Sequence, residues 1–470
     1  MKKLISIAVL LALLSMGLFS SALAAGPTGT YVTGIACVNL EATAGNFTIK
    51  FYDTTGVNTA NLSDTIAANG SKMYFTPSIS GLPSGFMGSA VVESTVELAC
   101  SVNTQTGSGT LRVGTSNGVT TNNTGTALFV TQVMNNLSGW SSYVAVQNTS
   151  ASAADITVKY FNSSGTQVFN YTRTGVPANS THVFYQDGDE DGVGGSDLPA
   201  GFIGSASFES AAPLAGAVAM YNLGTGGSDA QFLSYNAVTG GGTKIYGPRL
   251  AKNLSGVGYT SGFSCQNVGA VSTDVSAAFT VYDQAAAVWK TATLNKTGLG
   301  SKQAWAVYMG STGNATLDAI TKFYGSAIFQ STASNIACTI NEDNRTTYAG
   351  LGSTYNGIPD GQQSGKIFFS QIVALGAASY RGGFQVANTT ATDATCTYTF
   401  SNGDVIPGVA LPANGSLSVF AENVLINNKT NFNGSAVVEC TQPIVGIYNL
   451  ANTTVPGDSF ATNNGINQAP

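Results

Sequence analysis

The stretch "DGDEDGVGGSD", residues 187–197, sets Asp187, Asp189 and Asp191 at alternate positions ahead of Gly192. That spacing matches the opening of a calcium-binding loop, where alternate carboxylates converge on a hard cation and the glycine lets the chain turn around it. The twelfth position, which such a loop gives to a bidentate glutamate, is Leu198, with Asp197 beside it as a substitute. Asp187, Asp189, Asp191 and Asp197 are therefore candidate ligands of a structural calcium, or else a solvated acidic turn; no other cofactor is implied. Nucleophilic catalysis has less support. "GFIGSASFES" (201–210) is rich in serine, but His182 is the only histidine and cannot act as base for every copy of that phrase. No motif frames a carboxylate pair for glycoside hydrolysis. The chain is expected to have no catalytic residues.

The elements that must position these residues repeat. "GFMGSAVVES" at 85, "FYGSAIFQS" at 323 and "NFNGSAVVEC" at 431 restate the phrase at 201, placing Gly88, Gly204, Gly325 and Gly434 at spacings of about 116, 121 and 109 residues. A period of that size is a domain, not a turn of a solenoid. "ACVNLEATAGNFTIKFYDTTG" (36–56), "AVQNTSASAADITVKYFNSSG" (145–165), "SCQNVGAVSTDVSAAFTVYDQ" (264–284) and "QVANTTATDATCTYTFSNG" (385–403) keep the same register, each a strand, an Asn-led turn and a strand. Ile156, Val158 and Tyr160 alternate with Thr157 and Lys159, the period of a strand with one buried face. Each copy closes on "SNGV", "YNAV", "YNGI" or "NNGI" (116, 235, 355, 463). Short strands and frequent turns predict seven or eight strands per copy, an all-β fold of antiparallel β-sandwiches. The domains are expected at 26–122, 123–242, 243–362 and 363–470.

Cysteine follows the same register. Cys37 and Cys265 share one column, Cys100 and Cys338 another, and the other copies have Val146 with Gly216 and Val386 with Gly446 there. Cysteine appears or vanishes in pairs, which predicts bridges across a core: Cys37 with Cys100 and Cys265 with Cys338; the fourth copy instead has Cys396 and Cys440 on its two core strands, and these are expected to pair. Each bridge is expected to contribute about 4 kcal/mol by the loop-entropy model. No Cys-x-x-Cys spacing suggests metal binding through thiolates.

Lys2 and Lys3 precede an apolar run from Leu4 to Phe19, and Ala22-Leu23-Ala24 supplies a cleavage site, so residues 1–25 read as a secretory signal. No later run is long and apolar enough to span a bilayer, so membrane insertion is not expected. Without Lys2 and Lys3 the chain has 16 basic against 24 acidic residues, a net charge of −8. Charged residues are only 9% of the chain, and clustered Lys and Arg for nucleic acid are missing. Trp140, Trp289 and Trp305 could stack on sugars, but aromatic residues in short strands are more often core. Asn-x-Ser/Thr sequons such as Asn46, Asn148, Asn162, Asn253, Asn388 and Asn452 follow largely from composition.

The repeats, turns and paired cysteines resemble the tandem immunoglobulin-like β-sandwich proteins of bacterial surfaces. That likeness implies four tandem domains after a signal peptide in a secreted, extracellular or cell-surface protein. The favoured function is structural, in a filament or layer, as an extended rod that associates with itself or with other surface proteins. The runner-up is an adhesin that binds glycans; a secreted hydrolase comes third. One further expectation concerns the first copy. Phe129 lies 17 residues before Val146, and the same step back from Cys37 reaches Ser20, inside the leader. Cleavage is then expected to leave domain 1 without its first strand. Either residues 26–34 fold back over the gap, or domain 1 is completed by a strand from another chain.

Overall fold

The structure is a computed structural model that describes residues 26–467 apart from 28, 107–109, 193–195, 223–229, 345, 376–379, 428, 453 and 456. The chain is all-β, and its helices among the described residues are as short as Ala315–Ala319 and Ala421–Val424. Period-two patterning explains the strands. In Ala154–Asn162 the side chains of Ile156, Val158 and Tyr160 are buried, while Thr157 and Lys159 between them are part-exposed.

One unit illustrates how layers form. The long strand Phe202–Asn222 pairs through its first half with Ala154–Asn162 and Gly125–Asn135, and through its second half with Trp140–Asn148 and Gln231–Asn236. A single strand thus serves both layers, and Val130, Val146, Val158, Phe184, Phe208 and Val218 fill the space between them. Asn431–Asn452 plays the same part near the C-terminus. In the first and third repeats that path is divided, into Gly88–Ser94 with Leu98–Thr106 and into Phe323–Ser331 with Ile336–Asn344.

The repeated phrase is a strand, and its glycine is a steric requirement. A Cβ on Gly204 would lie 2.0 Å from the Phe161 carbonyl oxygen, and one on Gly88 would lie 2.0 Å from that of Tyr52. The Asn-led turn is also built alike each time. Asn39, Asn148, Asn267 and Asn388 are buried. Each donates through Nδ2 to the carbonyl four residues on and accepts at Oδ1 from the backbone N–H two residues on. The sequon residues Asn148 and Asn388 are therefore internal braces.

Disulfides join Cys37 to Cys100, Cys265 to Cys338 and Cys396 to Cys440. Each pair sits directly opposite in adjacent antiparallel strands. The bridges staple neighbours within a sheet, whereas the sequence suggested bridges across a core; register alignment in sequence cannot tell these apart.

The expected rod is not what forms. The asparagine of each closing phrase bonds its counterpart in the next repeat. Asn117 N–H donates to Asn236 Oδ1 (2.9 Å), Asn236 N–H to Asn356 Oδ1 (2.9 Å), and Asn356 N–H to Asn464 Oδ1 (3.2 Å). In the opposite sense, Nδ2 of Asn236, Asn356 and Asn464 donates to the carbonyls of Asn117, Asn236 and Asn356 at 2.8, 2.8 and 2.7 Å. Asn117 Nδ2 closes the circuit on the Asn464 carbonyl at 3.1 Å. The four repeats, called units 1 to 4 below, therefore meet in a closed ring, with unit 4 against unit 1. Near this circuit Gly457–Asp458 of unit 4 runs parallel to Leu111–Arg112 of unit 1.

Candidate functional site

The acidic loop follows strand Thr181–Tyr185, whose pairing with Trp140–Asn148 fixes its origin. One carboxylate oxygen each from Asp189, Asp191 and Asp197 lies within 4.8 Å of the others. Calcium takes oxygen ligands at about 2.3–2.6 Å, so three oxygens at this separation can share one ion. The Asp197 Oδ2 accepts from the Glu190 N–H at 2.9 Å. Burial pushes the Asp197 carboxyl up to about 6, with the nearby charges of Asp191 and Glu190 adding to the effect. A bound cation would favour the ionised form and oppose that shift.

Asp187 does not join them, contrary to the calcium-loop spacing. It turns the other way, accepting from Tyr221 Oη at 2.7 Å and from the Gly26 N–H at 3.3 Å. Burial, reinforced by this carboxylate, pushes the Tyr221 hydroxyl up. Tyr221, Tyr143 and Tyr185 form an aromatic group with ring centroids 5.7 and 6.2 Å from that of Tyr143, so the first described residue of unit 1 is moored beside it. Glu190 is engaged as well: its Oε1 accepts from the Tyr185 N–H at 3.1 Å, and its Oε2 lies 3.1 Å from His182 Nε2.

The Gly-Ser-Ala serines of the first three copies latch one unit to the next. Ser89 Oγ donates to the Asn179 carbonyl, Ser205 Oγ to that of Lys302, and Ser326 Oγ to that of Asn414, at 2.5, 3.2 and 3.0 Å. All three acceptors are left-handed turn residues, with φ of 58°, 61° and 51°. The closing-phrase asparagines were likewise visible as a repeated motif, but sequence gave no partner for them.

A cleft of ≈ 510 Å³ opens between units 2 and 3, lined by Met134, Trp140 and Gln231 on one side and Thr260, Tyr308 and Asn344 on the other. Glu342 also lines it, but Arg249 holds that carboxylate at both oxygens, Nε to Oε2 at 3.0 Å and Nη2 to Oε1 at 2.6 Å. An acid fixed in a buried bidentate pair is a poor proton donor. The three tryptophans do not share a platform. Trp305 packs edge-on against Phe263 at 5.1 Å, Trp289 sits beside Tyr282 and Tyr324, and Trp140 borders the cleft.

No protein-family model matches the sequence, and no curated protein matches it. Among solved structures, the Anabaena sensory rhodopsin transducer is 18% identical over 19% of this chain and 90% of its own, with a TM-score of 0.16. The Thermotoga maritima 1070 protein is 16% identical over 24% of this chain and 90% of its own, with a TM-score of 0.19. A tetra-tandem repeat from the extending region of a large adhesion protein covers 94% of this chain and 95% of its own at 15% identity, with a TM-score of 0.12. Similarity at this level carries no functional argument. No helix among the described residues is long and apolar enough to cross a membrane.

Proposed function

We propose that this protein is an exported, non-enzymatic structural subunit of a cell surface, filament or layer. The supporting observation is where its repeated polar side chains are used. The asparagine written once per copy bonds unit to unit and closes the ring, and the Gly-Ser-Ala serines of three copies bond the neighbouring unit. Three disulfides between adjacent strands fit an oxidising compartment. The subunit is a closed ring, and any filament or layer is made by joining rings. Electron microscopy of the purified exported protein, across concentration and in the presence of other surface components, tests this reading. Ring-shaped particles that join into ordered arrays are expected; dispersed particles under every condition would sink it.

The cleft between Trp140 and Tyr308 favours a second reading, an adhesin that binds a glycan there, since an aromatic side chain on each side with amide and hydroxyl neighbours suits a sugar. A glycan array run with the protein and its Trp140→Ala variant separates the two. Signal lost in the variant supports the adhesin; no signal in either leaves the structural subunit.

A further inference from the structure

Three of the four unit junctions contain the same strand. The first strand of unit 2, Gly125–Asn135, pairs with Phe202–Glu209 of its own unit and lies against unit 3, where Ser264 Oγ donates to the Thr131 carbonyl and Thr131 Oγ1 meets Thr339 Oγ1 at 2.5 Å. In unit 3 the strand Lys244–Lys252 presents the Pro248 carbonyl to Gln385 Nε2 of unit 4 at 2.8 Å. In unit 4 the strand Ser364–Leu375 brings Ser370 Oγ to Ser101 Oγ of unit 1 at 2.8 Å. Thr131, Pro248 and Ser370 occupy one column of the repeat, so the three junctions share one construction.

The junction from unit 1 to unit 2 differs. Among the described residues, Gly88–Ser94 pairs with Gly45–Asp53 and with nothing on its other side. The receiving columns show the same gap. Ala206, Ala327 and Ala436 are at most 2% exposed beneath their first strands, while Ala90 in the same column is exposed. On the receiving face, Ser264 with Thr339, Gln385 with Ile447, and Ala36 with Ser101 are all at most 5% exposed, while the matching Ala145 and Ala217 of unit 2 are only part-buried. Unit 1 accordingly has a buried cluster of eight residues where unit 2 has 21. None of the described residues of 26–34 pairs with this edge, contrary to the fold-back expectation. Tyr31–Gly34 belong to strand Tyr31–Asn39, opposite Thr106–Asn103 on another sheet.

We propose that this edge of Gly88–Ser94, with Ala145 and Ala217 of unit 2, is a docking slot for an extended β-segment supplied by another polypeptide. The three resident strands define the chemistry of that segment. Each sets an aliphatic residue over its own core and an aromatic residue immediately after it: Leu128-Phe129, Ile245-Tyr246 and Ile367-Phe368. The aromatic residue reaches the next unit or its edge. Phe368 packs with Val38 and Ala99, Tyr246 with Ala387 and Val445, and Lys302 Nζ lies 4.4 Å from the Phe129 ring centre. The segment therefore carries an aliphatic–aromatic pair and runs antiparallel to Gly88–Ser94, giving backbone bonds to the edge and a ring to unit 2. In the register that sets Ser20 at the aromatic column, the leader's Leu18-Phe19 pair falls one residue early and leaves a serine where each resident strand has a ring. Open edges of this kind recruit strands from other chains.

The slot is the attachment point of the subunit proposed above and rests on that reading for its setting; the test below uses single molecules in solution, so it fails independently of array formation. The probe is a synthetic peptide of residues 125–135, GTALFVTQVMN, added to protein beginning at Gly26. One-to-one binding is expected, with amide hydrogen exchange slowed by about tenfold across Gly88–Ser94 and left unchanged across Phe202–Glu209. A peptide carrying L128S and F129S is expected to bind about tenfold or more weakly. A second protein, with the 125–135 sequence fused by a flexible linker ahead of Gly26, should no longer bind the free peptide. Exchange across Gly88–Ser94 that is already as slow as across Phe202–Glu209 without peptide overturns the proposal. So does equal binding by a peptide of residues 16–26, or a mass for the exported protein that includes the leader, since either makes the chain its own donor.

Discussion

Asn236 shows how much one side chain can hold. Its Oδ1 accepts from the Asn117 N–H and its Nδ2 donates to the Asn117 carbonyl, so truncation leaves two backbone groups of unit 1 without partners. Asn236→Ala is expected to destabilise the protein by about 1–3 kcal/mol, the cost of part-buried polar groups left unpaired. Calorimetry should show both a lower melting temperature and a broader transition, because the ring is cut. Asp64 gives a pH effect of definite sign. Tyr74 Oη donates to its Oδ2 at 2.7 Å, the Thr65 N–H to its Oδ1 at 2.7 Å, and Lys72 Nζ lies 3.0 Å away, which draws its carboxyl down to about 2. A carboxyl depressed in the folded state adds stability above its unfolded value, and that stability is lost as pH falls through the folded one. Melting temperature should therefore decline between pH of about 4 and 2, modestly because the site faces solvent, and Asp64→Asn should flatten that limb.

At the scale of elements, the disulfides matter most where the core is smallest. The bridge from Cys37 to Cys100 closes a separation of 63 residues in unit 1, whose strand Gly88–Ser94 is paired on one side among the described residues. Replacing both cysteines with serine is expected to cost about 4 kcal/mol by the loop-entropy model. Hydrogen exchange should show Phe47–Phe51 opening well before Ile156–Tyr160 of unit 2; equal opening would assign no special weakness to unit 1. The strands themselves were legible from the alternation at Ile156, Val158 and Tyr160, two cysteine pairs from their shared columns, and the third from the placement of Cys396 and Cys440 on core strands of the fourth copy. Whether a pair spans two layers or two neighbouring strands was not legible, because both arrangements place the same residues in register. Asp187 shows the same boundary. Its spacing fits a cation loop, but Tyr221, 34 residues away, offers a hydrogen bond that turns it elsewhere.

For the whole molecule, the closed ring predicts a compact particle. Small-angle scattering of the protein from Gly26 onward should give a radius of gyration of about 22 Å, the value for a globular chain of this length. Four units end to end would give roughly twice that, and such a result would exclude the ring. Composition, period and turn chemistry were enough to establish an all-β chain of repeated units, because burial on one face of a strand and the steric demands of Gly204 and Asn148 are local and recur in each copy. The repeated "GSA" and closing asparagine phrases were visible too, but not their purpose. Ser205 meets Lys302, and Asn117 meets Asn464, only after four units fold and turn back on themselves. Contacts across hundreds of residues depend on the angle at which one unit leaves the next, and no local pattern encodes that angle. Tertiary structure therefore decided between rod and ring, and it also showed that Gly88–Ser94 is paired on one side only among the described residues.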